Sequence, residues 1–147
     1  MADSIRERIF QAVEAKLNEV TIIKYVTRKK INPLNIPDYP AVFIVPGRDP
    51  VTEDINNALL DRELTIFLFL WIKTQSDDIH KHLEEILPYV QQKMSSDNTL
   101  GGLIIDLQEE EVGDPIPLND AQTESGVVLP YQIRYRVNRF NPYSQAA

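Results

Sequence analysis

Between residues 62 and 73 the chain alternates two apolar rows, Leu64, Ile66, Leu68, Leu70 and Ile72 on one and Phe67, Phe69 and Trp71 on the other. Period-two alternation marks an extended strand, because successive side chains leave opposite faces. A strand that is apolar on both sides needs cover on both. The cover comes either from a helix of the same chain or from a neighbouring subunit. Large aromatics are more often core than interface, so internal cover is the expectation.

Two segments have the period of a helix. From Ser4, a plausible N-cap, Ile5, Ile9, Val13 and Leu17 recur four apart, with Arg6, Glu7, Gln11 and Glu14 on the opposite side. Further on, Ser76 or Asp77 can cap a helix in which Ile79, Leu83, Ile86, Leu87, Val90 and Met94 form one stripe. Pro88 should bend that helix or leave a local break, since it lacks the N–H that continues the ladder.

The remaining apolar segments read as strands. Residues 21–27 are rich in β-branched side chains, and 41–46 form a short apolar run between prolines. Residues 103–108 set Leu103, Ile105 and Leu107 against Ile104, Asp106 and Gln108. The long stretch 127–139 turns Val127, Leu129, Tyr131, Ile133, Tyr135 and Val137 inward and Arg134 and Arg136 to water. Pro130 argues for an edge position or a late start to pairing. Pro33, Pro37 and Pro40 interrupt regular structure, residues 48–57 read as a polar loop, and 109–124 as an acidic one. The order helix, strand, strand, strand, helix, strand, strand gives an α+β fold: a mostly antiparallel β-sheet of about four to five strands with two helices packed on it. One domain covers 1–140, with a frayed tail at 141–147.

Composition bounds the function. A chain of 147 residues, 43% hydrophobic and 25% charged, can bury an ordinary core without staples. It has no cysteine, so disulfides and thiolate metal sites are excluded. No stretch reaches the roughly 18–20 apolar residues of a spanning helix. A net charge of −7 disfavours anionic membranes and groove-reading DNA binding, which depend on clustered Lys and Arg.

A search for chemistry finds little. His80 and His82 point to different sides of a helix. His80 and Glu84 have i,i+4 spacing, but two ligands are too few for a closed metal site. The serines lie at caps, turns or the tail, outside any nucleophile elbow. Gly101-Gly102 lacks the pattern of a phosphate loop. Glu109, Glu110 and Glu111 form a solvated run that does not raise one carboxyl's pKa as acid–base catalysis requires. The expectation is no catalytic residue, no metal and no cofactor.

Charge layout is more informative. Lys24, Arg28, Lys29 and Lys30 cluster after the first helix, whereas Asp106, Glu109, Glu110, Glu111 and Asp114 cluster near the fourth strand. Such patches can complement each other between identical neighbours placed head to tail, or be two ordinary solvated faces.

The helix at 5–17, the segment Tyr39-Pro40-Ala41-Val42-Phe43-Ile44-Val45-Pro46-Gly47, the strand at 63–73, the second helix leading into Asp97-Asn98-Thr99-Leu100-Gly101-Gly102, and the closing Tyr131-Gln132-Ile133-Arg134-Tyr135-Arg136-Val137 together resemble tail terminator proteins of long-tailed bacteriophages, of the minor tail protein U type. The resemblance spans nearly the whole chain through order and spacing, without an invariant chemical signature. It implies a subunit that forms a hexameric ring on the head-proximal end of the tail tube, stops tube polymerisation and presents the head-joining surface. It further implies no active site. The implied partners are other copies of the chain, the tail tube protein and a head-completion or connector protein; the implied location is the virion tail, and the host cytoplasm during assembly. By position, Arg48, Asp49, Glu53 and Asp54 in the 48–57 loop and the basic 24–30 segment are candidates for axial or intersubunit contact, with Phe67, Phe69, Trp71 and Glu109–Glu111 as further interface candidates. Competing readings are a neck or head–tail completion protein, a small metal-dependent hydrolase using His80, His82 and Glu84, and a host adaptor.

Overall fold

The computed structural model describes residues 3–29, 36–73, 79–117 and 124–145. Its elements are α1 (Ile5–Asn18), β1 (Tyr25–Thr27), β2 (Ala41–Pro46), β3 (Val51–Ile55), β4 (Leu59–Lys73), α2 (Ile79–Ser95), β5 (Asp106–Glu109), β6 (Ile116–Pro117) and β7 (Glu124–Asn138). The main order across the sheet is β1-β2-β4-β7-β5, with β3 added to β4 and β6 to β7. Among the described residues β1 and β2 pair in parallel and the other pairings are antiparallel. The fold is therefore the α+β arrangement expected, with seven strands among the described residues in place of four to five.

The spine is the ladder between β4 and β7, fifteen residues on each strand in unbroken register from Leu59↔Asn138 to Lys73↔Glu124. At about 3.4 Å per residue it is roughly 50 Å long. Both helices pack on one side of it. That inner face combines Ile5, Ile9, Val13 and Leu17 of α1 with Leu83, Ile86, Val90 and Met94 of α2. From the sheet it takes Leu64, Ile66, Leu68, Leu70 and Ile72 of β4 and Leu129, Tyr131 and Ile133 of β7, all buried. Period 3.6 on the helices and period 2 on the strands thus supply the two halves of one core.

α1 begins where the sequence indicates, with the Ser4 hydroxyl oxygen accepting from the Glu7 N–H at 3.0 Å. Ser4→Ala is expected to lower the unfolding free energy by about 1 kcal/mol, read from denaturant melts, because one N-terminal amide loses its acceptor. At its other end, the Lys16 ammonium reaches the carbonyls of Met94 and Asp97, tying α1 to the end of α2. The caps expected at Ser76 or Asp77, and Pro33, lie outside the described residues. Pro88 sits inside α2 on its exposed side without ending the helix.

Several expectations change, among them the strand expected over 21–27, which is observed at Tyr25–Thr27. The polar 48–57 segment holds β3, which turns into β4 at Asn56-Asn57, both at positive φ (53° and 55°), with the Ala58 N–H donating to the Ile55 carbonyl at 3.0 Å. Asparagine tolerates that left-handed backbone, so the pair makes a hairpin turn. The acidic loop contains β6, paired with Gly126 and Ser125. The strand expected over 103–108 starts at Asp106, because Leu100, Gly101 and Gly102 are at positive φ and hold a turn that shifts the phase. As a result Ile104 and Leu107 are buried and Ile105 is exposed. Pro130 lies in an internal strand, where its carbonyl accepts from Glu110 N–H on the β5 side. Since N and C=O of one strand residue point the same way, the missing N–H takes no bond from the β4 ladder.

The tail expected to fray from Asn141 is hydrogen-bonded as far as Gln145. The Pro142 carbonyl accepts from Ile5 N–H, the Ser144 carbonyl from Asn138 N–H, and the Gln145 amide donates to the Leu103 carbonyl.

Candidate assembly surfaces

The outer face of the sheet, opposite the helices, is a grid fixed by register. Phe43, Phe69 and Val128 form one cross-strand row, and Val45, Phe67 and Pro130 the next. At one end Trp71 is buried, with Ile36 and Ala41 against it, and its ring meets Phe43 and Phe69 at centroid distances of 5.8 and 5.7 Å in tilted geometry. Away from Trp71 the cover thins. Phe43, Phe67, Phe69, Val128 and Pro130 are half-buried and Val45 is 44% exposed. Among the described residues no helix lies on this face. Internal cover is therefore complete for Trp71 and incomplete for Phe67 and Phe69. Gly47 closes the rim: a Cβ there would lie 2.8 Å from the Phe67 ring and 2.9 Å from the Thr65 carbonyl, so the chain can pass the ring only at a glycine.

Further along, the same face becomes charged. Asp61, opposite Arg136 in register, is 1% exposed and accepts from the Arg136 Nε at 2.7 Å and Nη2 at 3.2 Å. The next row places Glu63, Arg134 and Asp106 side by side across three strands. The outer face thus passes from aromatic to ionic along one sheet.

The candidate residues separate into three groups. Lys24, Arg28 and Lys29 flank the edge strand β1; Lys30 is outside the described residues. Arg28 is claimed within the chain, donating to both carboxylate oxygens of Glu7 at 2.6 and 2.8 Å and stacking over Phe10 at 4.8 Å. This hydrogen-bonded pairing lowers the Glu7 pKa and raises that of Arg28. At the opposite edge Glu109 ends β5 and accepts from the Gln91 amide, and Glu110 and Glu111 follow it, exposed. Asp106 starts that strand.

The 48–57 segment does not behave as one surface. Arg48, Glu53 and Asp54 are exposed, and Asp54 pairs with Arg139. Asp49 turns inward: its side chain is 8% exposed, and its Oδ2 accepts from the Tyr135 hydroxyl at 2.6 Å and from Arg6 Nη1 at 3.3 Å. The main chain here is also held, the Asp49 carbonyl accepting from Arg62 at 2.9 Å. Asp49 is a buried pin between α1, β4 and β7 rather than a free contact. Its neighbours in sequence, Arg48 and Pro50, give no sign of this.

His80 is exposed, and His82 Nδ1 lies 4.0 Å from Glu85. Among the described residues no group of three His, Asp or Glu side chains is placed to hold a metal.

No family model and no curated protein matches the sequence. In structure the chain is similar to one from the virion of a native gene transfer agent particle, at 7% identity over 89% of this chain and 90% of that one, with a TM-score of 0.39. At that score and identity the likeness establishes neither a shared fold nor a shared function. What the sequence reading missed on this surface is the company of Phe67 and Phe69. Val45, Val128 and Pro130 complete their rows, and only the register between β2, β4 and β7 reveals it.

Proposed function

We propose that this chain is a structural virion subunit that joins copies of itself into a ring and caps a phage tail tube, ending its growth and offering the head-joining surface. The observation that carries the reading is the outer face of the sheet: aromatic and aliphatic rows lie there without a covering element among the described residues, in a molecule whose other face is packed by both helices. A sheet with that imbalance is completed by association. The order of elements in the sequence, which resembles the tail terminators, supports a ring on the tail tube as that association.

The test is the mass of the purified protein by light scattering over a concentration series, followed by addition of purified tail tubes. Expected are a hexamer-sized species, or ring-shaped caps on tube ends in electron micrographs with tube growth halted. Phe43→Glu with Phe69→Glu is expected to leave a folded monomer and abolish both. Protein that stays monomeric and neither binds tubes nor alters their length overturns the reading.

A further inference from the structure

The sheet ends in two edges of opposite sign. β1 is flanked by Lys24, Arg28 and Lys29, and β5 starts at Asp106 and runs into Glu109, Glu110 and Glu111. Three strands separate them, so four steps of about 4.8 Å set the edges roughly 19 Å apart, on opposite sides of the molecule. Each edge repels its own kind and attracts the other, which disfavours two-fold pairing of like edges and favours a head-to-tail repeat.

The charges available for this are those the chain does not already use. Arg28 is held by Glu7 and Glu109 by Gln91. Lys29 on one edge, and Glu110 and Glu111 on the other, are exposed and make no side-chain hydrogen bond or ion pair among the described residues. Among the described residues Lys24 reaches only the Thr21 carbonyl, at 3.4 Å. Beside β1 there is also room. A cleft of about 530 Å³ is lined by Phe10, Ile44 and Pro46 together with Ser4, Glu7, Arg6, Arg28 and Lys29. Arg6 and Arg28 are paired there with Asp49 and Glu7, which leaves Lys29 as the cation that an acidic side chain of another copy can meet.

We infer that the acidic β5 edge of one copy, through Glu110 and Glu111, docks on the basic β1 edge and its cleft in the next copy, through Lys24 and Lys29. This deepens the ring reading and rests on it. The attraction weakens with salt, since the screening length falls to about 10 Å at 0.1 M.

The test is a charge exchange. Lys24→Glu with Lys29→Glu makes both edges acidic; Glu110→Lys with Glu111→Lys makes both basic. Each variant alone is expected to lose self-association at least tenfold by light scattering, with its circular dichroism melt unchanged. Mixed in equal amounts the two are expected to assemble again, because every junction in an alternating repeat then joins opposite charges. The chain carrying all four substitutions is expected to assemble unaided. Where the wild type does not assemble alone, the same comparison is read on tail tubes. Variants that assemble like the wild type, or a mixture no better than its components, overturn the docking and leave the ring reading standing. A wild type that assembles neither alone nor on tubes overturns both.

Discussion

Leu68→Ala is expected to lower the unfolding free energy by about 3–5 kcal/mol, the usual cost of deleting a buried leucine side chain where neighbours cannot close the gap. Leu68 is fully buried at the middle of β4. Its cross-strand partners Ile44 and Leu129 are buried too, at 2% and 0% exposure, so the ladder on both sides resists collapse into the cavity. For a chain of this size the loss should lower the melting temperature by about 10 °C or more. A deficit below about 1.5 kcal/mol in urea would show that the inner row is not tightly packed. The adjacent Phe69 tests the other side of the same strand. It is half-buried on the outer face, so its truncation should affect assembly more than folding.

Asp49→Ala is expected to cost about 2–4 kcal/mol, combining a lost charge-assisted hydrogen bond with a buried hydroxyl left without its acceptor. The hydroxyl is that of Tyr135, 3% exposed, which donates to Asp49 Oδ2 at 2.6 Å. A double-mutant cycle with Tyr135→Phe should recover a coupling of about 1–3 kcal/mol, since the two side chains form one contact. Additive losses would mean that Asp49 acts mainly through Arg6. The same pair carries a pH signature. Burial, then the Asp49 hydrogen bond and charge, push the Tyr135 pKa above its ordinary value of 10.0. A group with a raised folded pKa contributes stability that is intact below its unfolded pKa and lost as pH rises past it. Stability should therefore decline above about pH 10, and Tyr135→Phe should flatten that decline in part, leaving the share due to Tyr131, whose pKa burial also raises.

Both helices were legible from spacing alone. Ile5, Ile9, Val13 and Leu17 are all fully buried, and the stripe from Ile79 to Met94 is the buried side of α2, because a 3.6-residue period has few other meanings. The inner rows of β4 and β7 were legible for the same reason at period two. The choice of face was not. With Phe67, Phe69 and Trp71 backing Leu64 to Ile72, either row could have met the helices, and only tertiary packing decides between them. β3 was hidden because Thr52, Glu53 and Asp54 are polar and exposed, so the strand is specified by its pairing with β4 and by the Asn56-Asn57 turn rather than by burial. Of the candidate surface, the opposite charges were visible in sequence, while their placement on opposite edges depends on a strand order that no local pattern encodes. Asp49 read as a loop acid because its partners, Arg6 and Tyr135, are distant in sequence.

The β4–β7 ladder also sets the order in which this molecule can come into being. Leu59 finds its partner in Asn138 and Lys73 finds its own in Glu124, so the spine cannot zip until α2, β5 and β6 have been made and the intervening chain has doubled back. Pairings of that sequence separation are slow, since loop-closure entropy is lost before the contacts that offset it appear. Until then β4 stands with two apolar sides and an unsatisfied edge, the kind of intermediate that sticks to its own copies. A nascent chain stalled before β7 should therefore need a chaperone, whereas one released after it can close its core within itself.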